Sequence, residues 1–572
     1  MMKTPQQIKS QILAARNVIL PELVFKNVQV VNVFTDEMER ADVAIHNGKF
    51  VGIGQYNGEQ EIDGTPYTMV PGLIDAHVHI ESSMLSPSQF QKAVLPRGIT
   101  TIITDPHEIA NVQGLKGIEW MLKDSENCLL NYRYQLPSCV PATSFEDNGA
   151  MLTAEDLAPL YKHKLVLGLA EVMNFPAVFS GQEDMMEKLS DAIINNVPID
   201  GHGAGLSGKD INAYLTAGIT TDHECVKPEE MIERVRRGMY VMLREGSAAR
   251  NLHDLLDGYS KELSHRLMFC TDDKHIDDLL EEGSIDYHVR ECLKVGIDVY
   301  SIMRMASLNV AQCYNLKGKG AIAPGYDADF ILLNTIDDFD IHSVWVNGTR
   351  YEEEKGQEKE ASFENTVVLG SYSKEHLSLP LTSEIARVIE IIPNSIVTRK
   401  EQYKVSVENG LFVASEAEDF IKMAVIERHK GTGSVGVGIV KGFRLQGGAV
   451  ATTIAHDSHN IICIGTNDED MDIAIRELEK IGGGISIACN GETIASLSLP
   501  VAGLMTTISP EQLNDQYSQL LIALSSLGIT DEFSPLLTLS FLALPVIPSL
   551  KLTNQGLFDV DTFTFVEVSV NQ

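Results

Sequence analysis

Six residues in this chain have the types and placement to hold metal: His77, His79, Glu171, His202, His223 and Asp272, each at or near the end of a short apolar run. The first two close the stretch Val70-Pro71-Gly72-Leu73-Ile74-Asp75-Ala76-His77-Val78-His79. Side chains alternate faces along a strand, so histidines one residue apart point the same way. Alone, that pair is better explained as polar residues where a strand meets solvent. The later histidines and carboxylates change the reading. Four neutral imidazoles and two carboxylates can hold two divalent cations, and a bridging carboxylate at Glu171 would let them sit about 3.5–4 Å apart and share one water. Two cations lower the pKa of that water toward neutrality, which is hydrolytic chemistry.

These residues can act together only if the fold brings their strand ends to one rim. After the first run, apolar segments recur at Gly98–Glu108, Tyr132–Val140, Leu165–Glu171, Val197–Gly203, Gly218–Glu224, Met239–Glu245 and Arg266–Asp273. Stretches of helical character lie between several of them, as at Asp184–Asn195, Pro228–Arg237 and Ser284–Leu293. Eight short buried strands alternating with helices predict an α/β fold, a (β/α)8 TIM-like barrel over residues 71–315. In that fold the chemistry sits at the C-terminal strand ends, where these ionisable residues fall.

The flanks read differently. Residues 1–22 predict a polar N-terminal helix, and 23–70 turn to β character, with Asn47-Gly48 as a tight hairpin signal. Residues 316–360 return to β character and are expected to join 23–70 in one small β domain built from both sides of the barrel. The charged run Tyr351–Ala361 reads as a solvated loop, and 361–389 as a linker. Residues 390–572 predict a C-terminal α/β domain, with strands at Val435–Val440, Gly448–Ile454 and Asn460–Gly465 and a helix at Glu469–Ile481. Its glycine-rich segments lack nucleotide-binding patterns in the required context.

A formal charge of −34, from 79 acidic against 45 basic residues, opposes binding to nucleic acid or an anionic membrane. No signal-type segment opens the chain, and no apolar run approaches the roughly 20 residues that span a bilayer. The eight cysteines are scattered without a Cys-x-x-Cys pair, as in reduced cytosolic enzymes, so a cytoplasmic location is expected.

The order of ligands, with a carboxylate on the fourth strand, histidines on the fifth and sixth and an aspartate on the eighth, resembles the amidohydrolase superfamily. His77-Val78-His79-Ile80-Glu81-Ser82-Ser83, Thr104-Asp105-Pro106-His107-Glu108-Ile109-Ala110-Asn111-Val112, Gly168-Leu169-Ala170-Glu171-Val172-Met173 and Thr221-Asp222-His223-Glu224 are similar more closely to the bacterial adenine deaminase family. The C-terminal unit is similar to that family's extra domain, so the resemblance covers nearly the whole chain. It implies hydrolysis of adenine to hypoxanthine and ammonia on two divalent ions, Mn2+ or Fe2+ first and Zn2+ also suited, and a homodimer or larger. Many superfamily relatives bridge their metals with a carbamylated lysine; here the fourth strand offers Glu171 instead. His77 and His79 with Asp272 would hold one ion, and His202 with His223 the other. Hydroxide would attack C6 of adenine, with Asp272 accepting its proton and returning it to ammonia.

Several assignments stay open at this level. Glu108, Glu224 and Glu245 are each candidates for a protonated group near N1, and each is as well explained by a salt bridge at the rim. Asp273 is an alternative to Asp272, since strand register decides which faces inward. His107 and Glu108 could order the metal ligands, touch substrate or bind an additional ion, and Ser82 could support either ligands or substrate. His456 and His459, in Ala455-His456-Asp457-Ser458-His459-Asn460, have metal-like spacing, form a polar turn, or belong to a loop that closes over the barrel mouth. The same scaffold could instead hydrolyse a cyclic amide or deacetylate an amino sugar. A non-catalytic barrel serving assembly would lack ligands, and none is missing.

Overall fold

The computed structural model describes residues 4–353, 363–393, 395–530 and 532–570. Its centre is a barrel of eight strands: Leu73–Val78, Ile99–Thr104, Asn131–Leu136, Val166–Val172, Ile199–Gly201, Thr221–Asp222, Tyr240–Arg244 and Leu267–Cys270. The first five pair in parallel in sequence order, as do the last three. The ring closes beyond the eighth strand, where the Asp272 N–H donates to His77 O (3.0 Å) and the His79 N–H to Asp272 O (3.3 Å). Ile74, Ala76, Ile103, Met242, Met268 and Cys270 form a buried cluster beneath the strand ends. The barrel is therefore a packed core with its polar chemistry confined to one rim.

A capped helix, Pro5–Ala15, precedes the barrel. Strands from both flanks share a single eight-stranded sheet, in which Thr68–Pro71 pairs with Phe330–Thr335. Asn47 and Gly48 turn its hairpin in the left-handed region (φ 51° and 70°), joining His46 to Lys49. Phe25, Phe330 and Trp345 pack at its core with ring centroids 5.2–5.5 Å apart.

The C-terminal domain is built on a second eight-stranded sheet, in the order Thr398–Lys404, Ile385–Ile391, Val435–Lys441, Ile421–Ile426, Ile461–Gly465, Ala449–Thr452, Gly484–Cys489 and Glu492–Ser498. Helix Asp468–Ile481 buries Met471, Ala474, Ile475 and Leu478 in a shared core. The expected linker needs correction. Within 361–389, Val367, Leu369, Tyr372 and Leu377 are buried in that same core, and the strand Ile385–Ile391 runs across the expected boundary at 390. Enough apolar residues fall within this polar stretch to anchor it, so it belongs to the C-terminal domain. Most of the charged run Tyr351–Ala361 lies outside the described residues.

The C-terminal domain docks on the barrel through loops following its early strands. The Ser86 N–H donates to Thr506 O (2.9 Å), the Thr506 N–H to Met84 O (2.8 Å), and Asn460 Nδ2 to Asp147 O (2.6 Å). Among the described residues no helix is long and apolar enough to cross a membrane.

Candidate metal centre

All six predicted ligands converge at the barrel rim. His77 Nε2 and His79 Nε2 face one another at 3.1 Å, which confirms that the alternation of the first strand carries both to the same side. Asp272, in the left-handed region at φ 56°, sets Oδ1 3.1 Å from His79 Nε2 and 3.5 Å from His77 Nε2. Glu171 divides its two oxygens. Oε1 lies 3.4 Å from His79 Nε2 and 3.9 Å from His77 Nε2, whereas Oε2 lies 2.7 Å from His202 Nδ1 and 3.3 Å from His223 Nε2. His77 and His223 stack at 4.4 Å between centroids.

The donor set fits divalent cations. His79 donates its Nδ1–H to Asp105 O (3.1 Å), which leaves the Nε2 lone pair directed into the cluster, as in a ligating imidazole. Glu171 and Asp272 are both held well below the ordinary carboxylate range. Burial alone would raise them; His202 leads the groups that reverse this for Glu171, and His77 for Asp272. Burial would lower His79 and His202, but Asp272 leads the groups that raise the first and Glu224 those that raise the second. The imidazoles thus carry the positive charge that two buried carboxylates require and that bound cations would supply. His202 and Glu224 are its more open members, with side chains 28% and 16% exposed, so the approach to the cluster is from their side.

Two family models match the chain: the amidohydrolase family over residues 68–351, and the adenine deaminase C-terminal domain over residues 395–564. A protein named adenine deaminase from Bacillus pumilus is 49% identical over 554 residues, 96% of each chain. Another, from Listeria welshimeri, is 47% identical over 580 residues and covers both chains completely. The chain belongs to the adenine deaminase family of amidohydrolases. Among solved structures, the beta-aspartyl dipeptidase of Fervidobacterium islandicum is similar at 19% identity and a TM-score of 0.44, over 57% of this chain and 96% of that one.

Around the six candidate ligands of this family member, the other predicted residues separate. Glu224 lies beside the cluster, its Oε1 3.5 Å from His223 Nε2 and 3.9 Å from His202 Nδ1. Glu245 does not reach it. Its carboxylate accepts from the Leu252 N–H (3.2 Å) and faces Arg250 at 3.6 Å. Arg244 ends the seventh strand pointing inward, so its neighbour Glu245 turns outward. Asp272 faces the cluster, while Asp273 accepts a hydrogen bond from the Ser82 hydroxyl. His107 stands between two groups: its Nδ1 donates to Asp105 Oδ2 (3.0 Å), and its Nε2 lies 3.5 Å from Glu108 Oε1.

Glu108 is engaged elsewhere than at the metal ligands. His456 Nδ1 donates to its Oε1 (2.5 Å) and His459 Nε2 to its Oε2, joining the barrel to the C-terminal domain. Burial would raise the carboxyl, but His456 leads the neighbours that hold it well below its ordinary value, so Glu108 carries no proton to give. Burial would lower His456, and the Glu108 charge instead raises it to about 9. His459 is lowered by burial to about 4.

Arg244 and Asp105 were not among the predicted site residues. Arg244 Nη1 donates to Asp272 Oδ2 (2.8 Å) and to Glu224 Oε1, tying two carboxylates of the site together. The signal for Arg244 was present, an ionisable residue at a strand end, but it was masked by the adjacent Glu245. Asp105 accepts from the His107 N–H through Oδ1 (3.1 Å) and from His79 through its carbonyl, and nothing in its local sequence marks that second role.

Proposed function

We propose that this chain hydrolyses adenine to hypoxanthine and ammonia at a centre of two divalent cations, with Glu171 spanning them. The near-half identity to proteins named adenine deaminase, maintained over both the barrel and the C-terminal domain, is the observation that carries the reading. The division of the Glu171 oxygens between the His77/His79 pair and the His202/His223 pair supports two cations rather than one. When bound, such a pair supplies hydroxide at neutral pH by acidifying water. Imidazole and carboxylate donors suit Mn2+, Fe2+ and Zn2+, and the resemblance favours the first two.

The residues then divide the work. Asp272 is ionised and fixed facing the cluster by Arg244, where its carboxylate would take the proton of the attacking water and return it to the departing ammonia. Burial would raise Glu224, and Arg244 leads the groups that lower it, so it meets substrate as a carboxylate. It is suited to accept an N–H of adenine, not to bring a proton to N1. We place the enzyme in the cytoplasm, as a homodimer acting in purine salvage.

Adenine mixed with the metal-loaded protein should show the ultraviolet change from adenine to hypoxanthine with one ammonia released per turnover. Absence of that change together with turnover of a cyclic amide would overturn the substrate assignment.

A further inference from the structure

Glu108, His456 and His459 form a second buried group with ligand chemistry, and their donor atoms lie within 4.8 Å of one another. Two imidazoles and a carboxylate could hold a third cation. The partner of the other nitrogen of His459 decides against it. The Ala455 N–H donates to His459 Nδ1 (3.2 Å), so that nitrogen offers a lone pair and the ring proton sits on Nε2. Nε2 therefore donates to Glu108 and has no lone pair for a metal. A ligating imidazole does the reverse, giving its second N–H to an acceptor, as His79 does with Asp105 O.

Both imidazoles are braced within the C-terminal domain. The His456 ring stacks on Phe541 at 4.5 Å and 18°, and the His456 backbone N–H donates to Ser540 O (3.0 Å). The His459 carbonyl accepts from Arg428 Nε; this buried guanidinium also donates to Thr366 Oγ1 (2.8 Å) and Ala502 O (3.0 Å). On the barrel side, Glu108 is the second residue of the helix His107–Asp124, whose first residue His107 is held by Asp105, and Asp105 O receives the Nδ1–H of His79. A continuous path of contacts thus joins the C-terminal domain to a metal ligand.

We propose that His456 and His459 are positioning residues for the metal centre, acting through Glu108 and the Asp105–His107 turn, and that they hold no third cation. The proposal rests on the two-cation reading above. It makes the C-terminal domain a structural part of the catalytic centre.

The test compares His459→Leu, His459→Gln, Glu108→Gln and the double variant Glu108→Gln/His459→Leu in the full-length, metal-loaded protein. His459→Leu should lower kcat for adenine by roughly 10- to 100-fold with KM held within about twofold. His459→Gln, which keeps a side-chain N–H donor, should recover most of the loss. The double variant should be no worse than His459→Leu, because both changes break one interaction. If His459→Leu does not fold, Glu108→Gln alone should show the same fall in kcat at constant KM. Unchanged kcat, an effect on KM alone, or no recovery in His459→Gln overturns the proposal. So does a wild-type content of three cations falling to two in His459→Leu. A wild-type protein that binds fewer than two cations contradicts the metal-centre reading instead, whatever the variants do.

Discussion

Two histidine–carboxylate clusters lie on either side of His107, and they differ in what the far nitrogen of a ring meets. On the Nδ1 side of His107, His79 gives its own Nδ1–H to the Asp105 carbonyl and turns Nε2 toward Glu171 and Asp272. On the Nε2 side, His459 receives the Ala455 N–H at Nδ1 and turns an N–H toward Glu108. The two share donor types and deep burial. In the proposed reading, the hydrogen bond on the far side of each ring separates a metal ligand from a donor in a clamp. Residue types and spacing therefore identify sites that could bind metal, and for His79 and His459 the backbone group at the far nitrogen is what tells the two apart.

The largest loss is expected at Glu171. Glu171→Gln should lose metal and with it nearly all turnover, because the one group shared by both imidazole pairs no longer carries charge. Elemental analysis of the purified variant checks this, and full occupancy would remove Glu171 from the bridge. Asp272→Asn should keep much of its metal and lose roughly 10²–10⁴-fold in kcat, since it removes the proton acceptor while the imidazoles remain. Steady-state kinetics on a sample of measured metal content would separate these two effects. At the small end, Glu245→Gln should leave kcat and KM within about twofold, because that carboxylate serves the Leu252 N–H and Arg250. A large loss there would mean that the outward register of the seventh strand is wrong.

Much of the metal cluster was legible in the sequence because barrel topology sends every strand end to one rim. Once the eight apolar runs are counted, His77, Glu171 and His202 need no further information to be brought together. What the sequence left open was a matter of single-residue register. Arg244 and Glu245 are adjacent and both ionisable, as are Asp272 and Asp273, and a shift of one residue exchanges which of them faces the site. In the first pair the side chain facing inward is Arg244, which was not predicted. In the second, the ring closure between His77, His79 and Asp272 fixes the answer, a contact between the two ends of the barrel.

The clamp was legible only in halves. Thr104–Glu108 and Ala455–Asn460 each stood out, but Glu108 and His456 are 348 residues apart, and no local pattern encodes their meeting. The misread linker has a similar cause. Val367, Leu369, Tyr372 and Leu377 form no regular amphipathic period, so their burial depends on the core they join, with Ala424, Ile461 and Ile475 contributed from elsewhere in the domain.

The most direct test of this account is the number of cations held by each chain. Full-length protein saturated with Mn2+ and freed of excess ion should contain two equivalents per chain, and adenine turnover should rise with the filling of those two. Three equivalents would make the Glu108–His456–His459 group a metal site, and one would deny Glu171 its bridging role; either result would contradict the distinction drawn between the two clusters.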